Sequence, residues 1–294
     1  MKIVVVGSGG RLGGALAREL GSEHEVIGLR RKELDLTDPA TIRNMLGRLD
    51  FDLLLTPAAL TKVDYCEDHV DEAMAVNAIA PGVMAEIAKS KGARMIHFGT
   101  DYVFDGKDPE PRKESDSINP LGVYGLSKAE GESAVLAVSE DFIVARVSWV
   151  FGPDRPSFLD SIIARAIEFE QVSAIADKYS SPTFSNDLAE IVSLLIKRPW
   201  AGGLLNMCNS GSCSWQEYAQ LGIDVAAVCG LPLRTQRVDA ISLEEMGFQA
   251  ARPKYTSMSV DRLTEICGRR PRPWQEAVTD YVKRFVCTQS TGCA

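Results

Sequence analysis

The amino terminus constrains the fold of this chain more than any other stretch. A β-branched run from Lys2 to Val6 leads into a glycine-rich turn and then into an alanine- and leucine-rich segment, Ala15 to Leu20. This order predicts a strand, a tight turn and a helix. Gly7, Gly10 and Gly13 would let the backbone turn sharply and approach a pyrophosphate, whose charge would meet free N–H groups at the helix N-terminus. The pattern predicts a dinucleotide-binding turn.

The first half of the chain continues to alternate between strand and helix patterns. Further strands are predicted at His24–Leu29, Asp52–Leu55, Arg94–Phe98 and Phe142–Val147, and helices after the Asp38 cap at Pro39, over Asp71–Lys89 and over Leu121–Val138. Such alternation is typical of parallel sheets covered by helices. We therefore predict an α/β fold with a Rossmann-type, doubly wound parallel sheet.

The pattern loosens after Trp149. Short strands are predicted at Val172–Ile175, Leu204–Met207 and Arg234–Val238, and helices at Phe158–Phe169, Asn186–Ile196, Trp215–Ala227 and Trp274–Phe285. We predict a smaller C-terminal lobe interleaved with the sheet domain. Residues 1–150 would form an NADP-binding Rossmann domain, and residues 151–294 mainly a substrate-binding lobe with some segments returning to the first domain.

Basic residues follow the second predicted strand, where the adenosine ribose of a dinucleotide would lie. A carboxylate there would bind a free 2′-hydroxyl, whereas arginine suits a 2′-phosphate. Arg30 and Arg31 occupy this place. They favour NADPH over NADH, which stays open as an alternative.

Three residues in the middle of the chain suggest proton transfer at a carbonyl. Tyr124 and Lys128 are four positions apart, which places both side chains on one face of a helix. A nearby ammonium would lower the pKa of the phenol. Thr100, at the end of the fourth predicted strand, could position a substrate carbonyl beside it. The YxxxK spacing alone is also common in ordinary amphipathic helices.

Composition excludes several classes of function. The net charge of −8 argues against a nucleic-acid surface, and no apolar run is long enough to span a membrane. The seven cysteines, from Cys66 to Cys293, have neither disulfide nor zinc spacing, and the three histidines suggest no metal site. We expect free thiols and a cytoplasmic protein, with a homodimer left open.

Taken together, these motifs resemble the extended short-chain dehydrogenase/reductase superfamily, and within it the dTDP-4-dehydrorhamnose reductase family. The resemblance covers nearly the whole chain. The matching stretches are Leu34–Asp38, Ala58-Ala59, Val63-Asp64, Glu67, Thr100–Phe104, Asn119–Leu121, Val123–Gly125, Ser148–Val150, Ser181–Thr183, Ser214-Trp215 and Arg252-Pro253.

The resemblance implies reduction of the C4 keto group of a nucleotide-linked 6-deoxy sugar, as in dTDP-rhamnose biosynthesis. It implies that Tyr124 supplies the proton, that Lys128 lowers its pKa and holds the ribose, and that Thr100 orients the carbonyl. It places Thr100, Asp101 and Trp149 at the sugar. It also implies the cofactor positions Gly10, Arg11, Leu12, Asp35, Leu36, Ala58, Ala59 and Phe98, with Leu60 near the nicotinamide.

The chain departs from the family pattern at three places. Thr56-Pro57 replaces an asparagine and an alanine, Leu60 replaces a tyrosine or histidine, and Tyr179-Ser180 replaces a stretch with glycine. None of these changes removes the proposed acid. They leave open which sugar is bound.

Two other functions fit the same fold. One is a non-catalytic cofactor-binding protein that resembles the regulatory subunit of methionine adenosyltransferase; the intact Thr100, Tyr124 and Lys128 count against it. The other is a sugar-nucleotide epimerase or dehydratase. A dehydratase would normally have an acidic pair after the active threonine, whereas Tyr102 follows Asp101 here.

Overall fold

Six parallel strands form the central sheet of the protein, whose computed structural model describes residues 1–290. The strands are β1 (Lys2–Val6), β2 (Glu25–Leu29), β3 (Leu53–Thr56), β4 (Arg94–Thr100), β5 (Ile143–Val147) and, from the C-terminal half, β10 (Gly203–Asn206). Their order across the sheet is β10-β5-β4-β3-β1-β2. From β1 the chain adds β2 on one side and then β3, β4, β5 and β10 on the other, so the direction reverses between β1 and β3. The predicted doubly wound sheet is confirmed.

Helices cover both faces of this sheet because its strands are apolar on both sides. They are α1 (Arg11–Leu20), α2 (Pro39–Gly47), α5 (Ala80–Ser90), α6 (Val123–Val138) and α8 (Ser185–Ile196). Two short helices, α3 (Val63–Asp68) and α4 (Val70–Met74), pack against α6. One apolar core lies between the sheet and the α1–α8 pair, and a second lies between the sheet and α2, α5 and α6. Asp38 caps α2 by accepting a hydrogen bond from the Ala40 N–H, as its sequence predicts.

Most of the other elements after residue 149 form a second packed unit. These are β6 (Val150–Phe151), α7 (Phe158–Glu168), β7 (Val172–Ile175), β8 (Tyr179–Ser180), β9 (Thr183–Phe184), β11 (Cys213–Ser214), α9 (Trp215–Val228), β12 (Val238–Ile241), α11 (Trp274–Tyr281) and α12 (Cys287–Ser290). Helix α10 (Asp261–Cys267) instead packs on α8 and β10 and joins the core of the main sheet layer. Separate apolar cores join α7, α9 and α11. By contrast, β10 pairs with β5, and α8 packs on α1, so these two elements complete the main sheet layer.

The prediction of a strand at Arg234–Val238 is wrong for all but its last residue, because the observed strand β12 begins at Val238. The backbone N–H groups of Arg234 and Thr235 donate to the carbonyl of Ala166, which holds this stretch against the end of α7. Pairing with β7 begins where Val238 meets Val172 and continues to Ile241. The tertiary contact with α7, not strand propensity, therefore decides where β12 begins.

The helix predicted over Asp71–Lys89 contains a π-helical turn, Ala75–Ile79, between α4 and α5. Pro81 has no N–H to offer the Asn77 carbonyl four residues before it, so the regular α-helical bond cannot form there. Gly131 of α6 lies against this widened turn: a Cβ at Gly131 would be 2.0 Å from the Asn77 carbonyl oxygen. A glycine in α6 thus lets the two helices approach at the irregular turn.

Within residues 1–290, no helix combines the length and apolar character needed to cross a membrane. The six cysteines in this part of the chain are free thiols, as predicted, and Cys293 and most of the polar tail beyond Thr288 lie outside the described residues.

Candidate active site

A cleft of about 1250 Å³ lies beyond the carboxyl ends of β1, β3 and β4. The predicted residues that line it are Gly7, Gly10, Arg11, Leu12, Arg30, Arg31, Asp35, Leu36, Ala58, Ala59, Leu60, Phe98, Thr100, Asp101, Tyr124, Lys128 and Trp149. Ligands of open α/β sheets bind at this edge. Residues chosen at widely separated positions in the sequence therefore meet in one concave site.

The glycine-rich turn has the form needed to hold a phosphate group. Gly7 has a positive φ of 94°, and a Cβ there would lie 2.8 Å from the Cβ of Ala58, so the position requires glycine. Gly10 is the N-cap of α1 and makes no side-chain cap. The first N–H groups of α1 therefore face an approaching anion without a competing side chain, which fits the diphosphate of a dinucleotide.

Gly13 does not line the cleft and has a packing role instead. A Cβ at this position would be 2.1 Å from the Gly7 carbonyl oxygen. Glycine is needed here so that α1 can lie close to the turn, as the third glycine of such turns commonly does. The structure thus gives Gly13 a packing role, and its approach to the cofactor stays a prediction.

The Arg11 side chain is directed away from a cofactor phosphate. Its guanidinium donates to the carbonyl oxygens of Val150 (3.0 Å), Arg155 (3.1 Å) and Pro156. Arg155 in turn donates to the Gly9 carbonyl at 2.6 Å. Arg11 thus ties the glycine turn to the segment that leads into the second lobe, and what it offers a phosphate is its backbone N–H.

The two arginines at the far end of the cleft are exposed. Arg31 leaves 88% of its side chain accessible and makes a 3.5 Å contact with Glu72 across the cleft. The Arg30 backbone N–H donates to Glu33, which orients the turn after β2. Asp35 accepts hydrogen bonds from the Thr37 N–H and hydroxyl, and these hold the pKa of its carboxyl below the usual value. Arg30 and Arg31 both line the cleft at the place expected for a ribose phosphate.

Tyr124 lies at the start of α6, nearly buried, with its ring edge-on to Tyr102 at 5.5 Å between centroids. Burial raises the pKa of the phenol, against a hydrogen bond with Thr100 that lowers it. Removal of the phenol from water has the largest effect on this pKa, and the lowering by Lys128 that the sequence suggests stays a prediction. A phenol that keeps its proton at neutral pH is the form that can donate to a carbonyl oxygen.

Lys128 is fully buried one turn further along α6. Its ammonium donates to the Phe98 carbonyl at 2.6 Å. Burial lowers the pKa of Lys128 to about 8, while the nearby Glu132 carboxylate acts to raise it. The ammonium therefore lies at the carboxyl end of β4, in the same cleft wall as the Tyr124 phenol.

Asp101 uses its carboxylate to organise the protein. One oxygen accepts from Ser148 (2.8 Å), Ser180 (3.3 Å) and Thr256 (2.6 Å), and the other accepts from Thr100 at 3.2 Å. Ser148 follows β5, whereas Ser180 belongs to β8 and Thr256 follows β12, so the carboxylate joins the sheet to C-terminal segments. Asp101 reaches the cleft wall, but its oxygens are already satisfied by hydroxyl groups, so the structure makes it a support for Thr100 more than a free ligand for a sugar.

Trp149 lies at the junction between the sheet and the second lobe. Its φ of 41° is unusual for a residue with a side chain, and its ring packs edge-on to Trp215 at 5.2 Å. The buried Lys178 ammonium lies 5.9 Å from this ring and 5.0 Å from the Tyr102 ring. Lys178 was not identified in the sequence, because nothing near it in the chain indicates that it lies under two aromatic rings.

Asn77 is a second residue that sequence reasoning did not assign to the site. Its side-chain oxygen accepts from the Leu60 N–H at 2.8 Å, and its amide donates to the Leu60 carbonyl at 3.0 Å and to Ser127 at 3.2 Å. The π-helical turn directs Asn77 toward these groups. It joins the loop after β3 to the helix that carries Tyr124 and Lys128.

Comparisons with known proteins agree with this geometry. A family model described as the RmlD substrate binding domain matches residues 1–287. The spore coat polysaccharide biosynthesis protein SpsK of Bacillus subtilis is 34% identical, with 96% of this chain and 97% of SpsK covered. The crystal structure of a dTDP-4-dehydrorhamnose reductase from Clostridium acetobutylicum has a TM-score of 0.89 at 31% identity, with 96% and 99% coverage. That from Bacillus anthracis, solved in complex with NADP, has a TM-score of 0.88 at 30% identity, with 96% and 98% coverage. In sequence and in fold, over almost its entire length, this chain belongs to the dTDP-4-dehydrorhamnose reductase family.

Proposed function

We propose that the protein is an oxidoreductase that reduces the C4 keto group of a nucleotide-linked 4-keto-6-deoxy sugar, of the dTDP-4-dehydrorhamnose type, with NADPH. The observation that carries this proposal is the meeting of Thr100, Tyr124 and Lys128 in one cleft wall, beyond the glycine turn at the carboxyl edge of the sheet. Relatives named as dTDP-4-dehydrorhamnose reductases support the substrate class.

The residues present suit a nicotinamide dinucleotide. The α1 N-terminus and the glycine turn would hold its diphosphate, Asp35 and Leu36 would lie at the adenosine, and Arg30 and Arg31 would meet a 2′-phosphate. Ala58, Ala59, Leu60 and Phe98 would lie toward the nicotinamide, and NADH would lack the contact with the arginines. When bound, NADPH supplies the hydride for the C4 carbon. The complex of the Bacillus anthracis relative with NADP supports this cofactor.

Tyr124, assisted by Thr100 and Lys128, would then supply the proton to the substrate. Tyr124 would donate toward the carbonyl oxygen of the sugar, and Thr100 would do so by turning its single hydroxyl proton from Asp101 to that oxygen. These contacts orient the keto group and neutralise the charge that develops on it. Tyr124 would transfer its proton to that oxygen. Lys128, whose ammonium is anchored at Phe98, would hold the ribose and favour the phenolate left on Tyr124.

The second lobe would bind the sugar nucleotide. We assign residues 1–150 mainly to the cofactor and residues 151–294 mainly to the substrate, with Trp149 between them. The flat face of Trp149 would pack against the sugar or base, and Asp101 would fix Thr100 at the sugar. Likeness to SpsK supports a role in deoxysugar and cell-surface polysaccharide biosynthesis. The free thiols of the described residues support a cytoplasmic enzyme.

The proposed function predicts which substrate will oxidise NADPH. When the purified protein is offered NADPH with a panel of nucleotide-linked sugars, we expect loss of reduced-cofactor absorbance with a dTDP-linked 4-keto-6-deoxy sugar. Sugars of the same series that lack the keto group should give none. The product should carry a new hydroxyl at C4. Binding of NADPH without turnover of any 4-keto sugar would instead favour a non-catalytic relative.

Removal of the two exposed arginines should change the cofactor preference. In an Arg30→Ala, Arg31→Ala double variant, the KM for NADPH should rise about 10- to 100-fold, because charge-assisted contacts to a phosphate are lost. The KM for NADH should change by less than about threefold, since NADH has no 2′-phosphate. Steady-state kinetics with both cofactors measures the two effects.

Arg43→Ala is the matched control for this double variant. Arg43 is an exposed arginine that pairs with Glu86 on α5 at 2.6 Å, away from the cleft. Its loss should leave both KM values unchanged. An equal rise in the KM values for NADPH and NADH in the double variant would show that Arg30 and Arg31 do not bind the 2′-phosphate.

A further inference from the structure

Behind Lys128, in the interior of the sheet, lies a chain of three polar side chains. Thr56 and His97 are opposite each other on the neighbouring strands β3 and β4. The Thr56 hydroxyl oxygen is 2.9 Å from His97 Nδ1, and Lys128 Nζ is 3.5 Å from His97 Nε2. All three side chains are buried.

The partners of the imidazole define its protonation state. A charged His97 would place two cations 3.5 Å apart in the interior, and both burial and Lys128 lower the pKa of His97 well below its usual value. The ring is therefore neutral, with one nitrogen as donor and the other as acceptor. An ammonium can only donate, so Nε2 accepts from Lys128 and Nδ1 carries the proton that it donates to Thr56.

This arrangement fixes the position of the Lys128 ammonium. An ammonium has three N–H donors. One is directed to the Phe98 carbonyl at 2.6 Å, and a second to His97 Nε2. With these two directions set from the sheet, the third points into the cleft whose wall Lys128 forms.

We propose that His97 is a positioning residue for the reductase reaction. Its neutral imidazole donates a hydrogen bond to Thr56 and accepts one from the Lys128 ammonium. This contact directs another N–H of the ammonium toward the cleft. This inference rests on the proposed function for its kinetic consequences, whereas the tautomer of His97 follows from the geometry alone. His97 acts through Lys128 and does not touch the substrate.

The charged groups near Thr56, His97 and Lys128 do not replace the contact between His97 and the Lys128 ammonium. From α6, Glu132 lies near Lys128 and acts to raise the pKa of the ammonium, and from β5 Arg146 binds Glu132 at 2.8 Å. Tyr124 also faces the cleft from α6. Both Arg146 hydrogen bonds go to one Glu132 oxygen, and neither Glu132 oxygen accepts from Lys128. His97 and the Phe98 carbonyl are therefore the hydrogen-bond partners of the ammonium.

The first test is ¹⁵N NMR of the three histidine side chains in the wild-type protein. His24→Asn and His69→Asn variants assign the signals, since the chain has three histidines in all. We expect His97 to stay neutral across the pH range in which a free histidine gains its charge, with the proton on Nδ1. A proton on Nε2, or titration within that range, would overturn the proposal. This test requires no substrate.

The second test compares two substitutions in the active enzyme. His97→Met fills a similar volume without an acceptor, and we expect kcat to fall about 10-fold with little change in the KM of the sugar nucleotide. The alkaline fall in kcat, which follows loss of the Lys128 proton near pH 8, should move about one pH unit lower, because the ammonium loses an acceptor. His97→Gln, which keeps an acceptor, should recover most of both effects.

The outcomes separate this inference from the proposed function. A wild-type protein without reductase activity would contradict the proposed function, and the NMR result would still decide the state of His97. An active wild type together with a folded His97→Met variant of unchanged kcat and pH profile would overturn the positioning role. Equal losses in His97→Met and His97→Gln would also overturn it, because they would indicate a role in packing alone.

Discussion

Replacement of Tyr124 by phenylalanine is expected to lower kcat by about 10²- to 10⁴-fold, the usual contribution of a general acid. The change removes one oxygen from a ring that is already packed edge-on to Tyr102, so the fold and the cleft should be preserved. NADPH should bind with nearly unchanged affinity, because the glycine turn and the arginines are untouched. Steady-state kinetics and a direct titration of cofactor binding measure the two quantities separately.

Tyr102→Phe provides the matched control. Tyr102 is the neighbouring buried tyrosine, and burial raises the pKa of its phenol as it does that of Tyr124. Its ring also contacts Lys178, and a phenylalanine would keep that contact. We expect kcat to change by less than about fivefold. A Tyr124→Phe enzyme with wild-type turnover would show that another group supplies the proton.

The fold could be predicted from the sequence because its strands are short, apolar and regularly separated by helices. The interior positions Ile3, Val4 and Val5 are fully buried, and the glycine turn that follows them can be recognised without any partner. The strand at Leu204 was also predicted, but its place beside β5 depends on contacts between residues about 60 apart. Such pairing is decided by tertiary packing, which a local pattern does not contain.

The residues proposed for catalysis could be named from the sequence, whereas the groups that hold them in place could not. The spacing of Tyr124 and Lys128 follows from helix geometry, and Thr100 follows from its place at a strand end. The partners of Asp101 come from segments up to 155 residues away, including Thr256. The position of Asn77 depends on a π-helical turn, which arises because Pro81 has no N–H to donate. Gly131 of α6 leaves room for this turn. These features combine distant parts of the chain, so no single stretch of sequence indicates them.

The second large expected effect is on stability and concerns the buried ion pair behind the site. Glu132 of α6 and Arg146 of β5 are joined by two hydrogen bonds of 2.8 and 3.0 Å, with 4% and 2% of their side chains exposed. Gly99 makes room for this pair, since a Cβ there would be 2.2 Å from a Glu132 oxygen. Arg146→Met should lower the free energy of unfolding by about 3–5 kcal/mol, because it leaves Glu132 buried without its partner.

Removal of both charges should cost much less than removal of either one. Burial raises the pKa of Glu132 even though Arg146 acts to lower it. The attraction between the two charges is therefore smaller than the free-energy cost of removing the carboxylate from water. The Glu132→Leu, Arg146→Met double variant should therefore lie within about 2 kcal/mol of the wild type, whereas each single variant should be far less stable. Urea denaturation of the four proteins gives the coupling energy. Losses that simply add would show that the two side chains stabilise the fold independently, through packing and not as a pair.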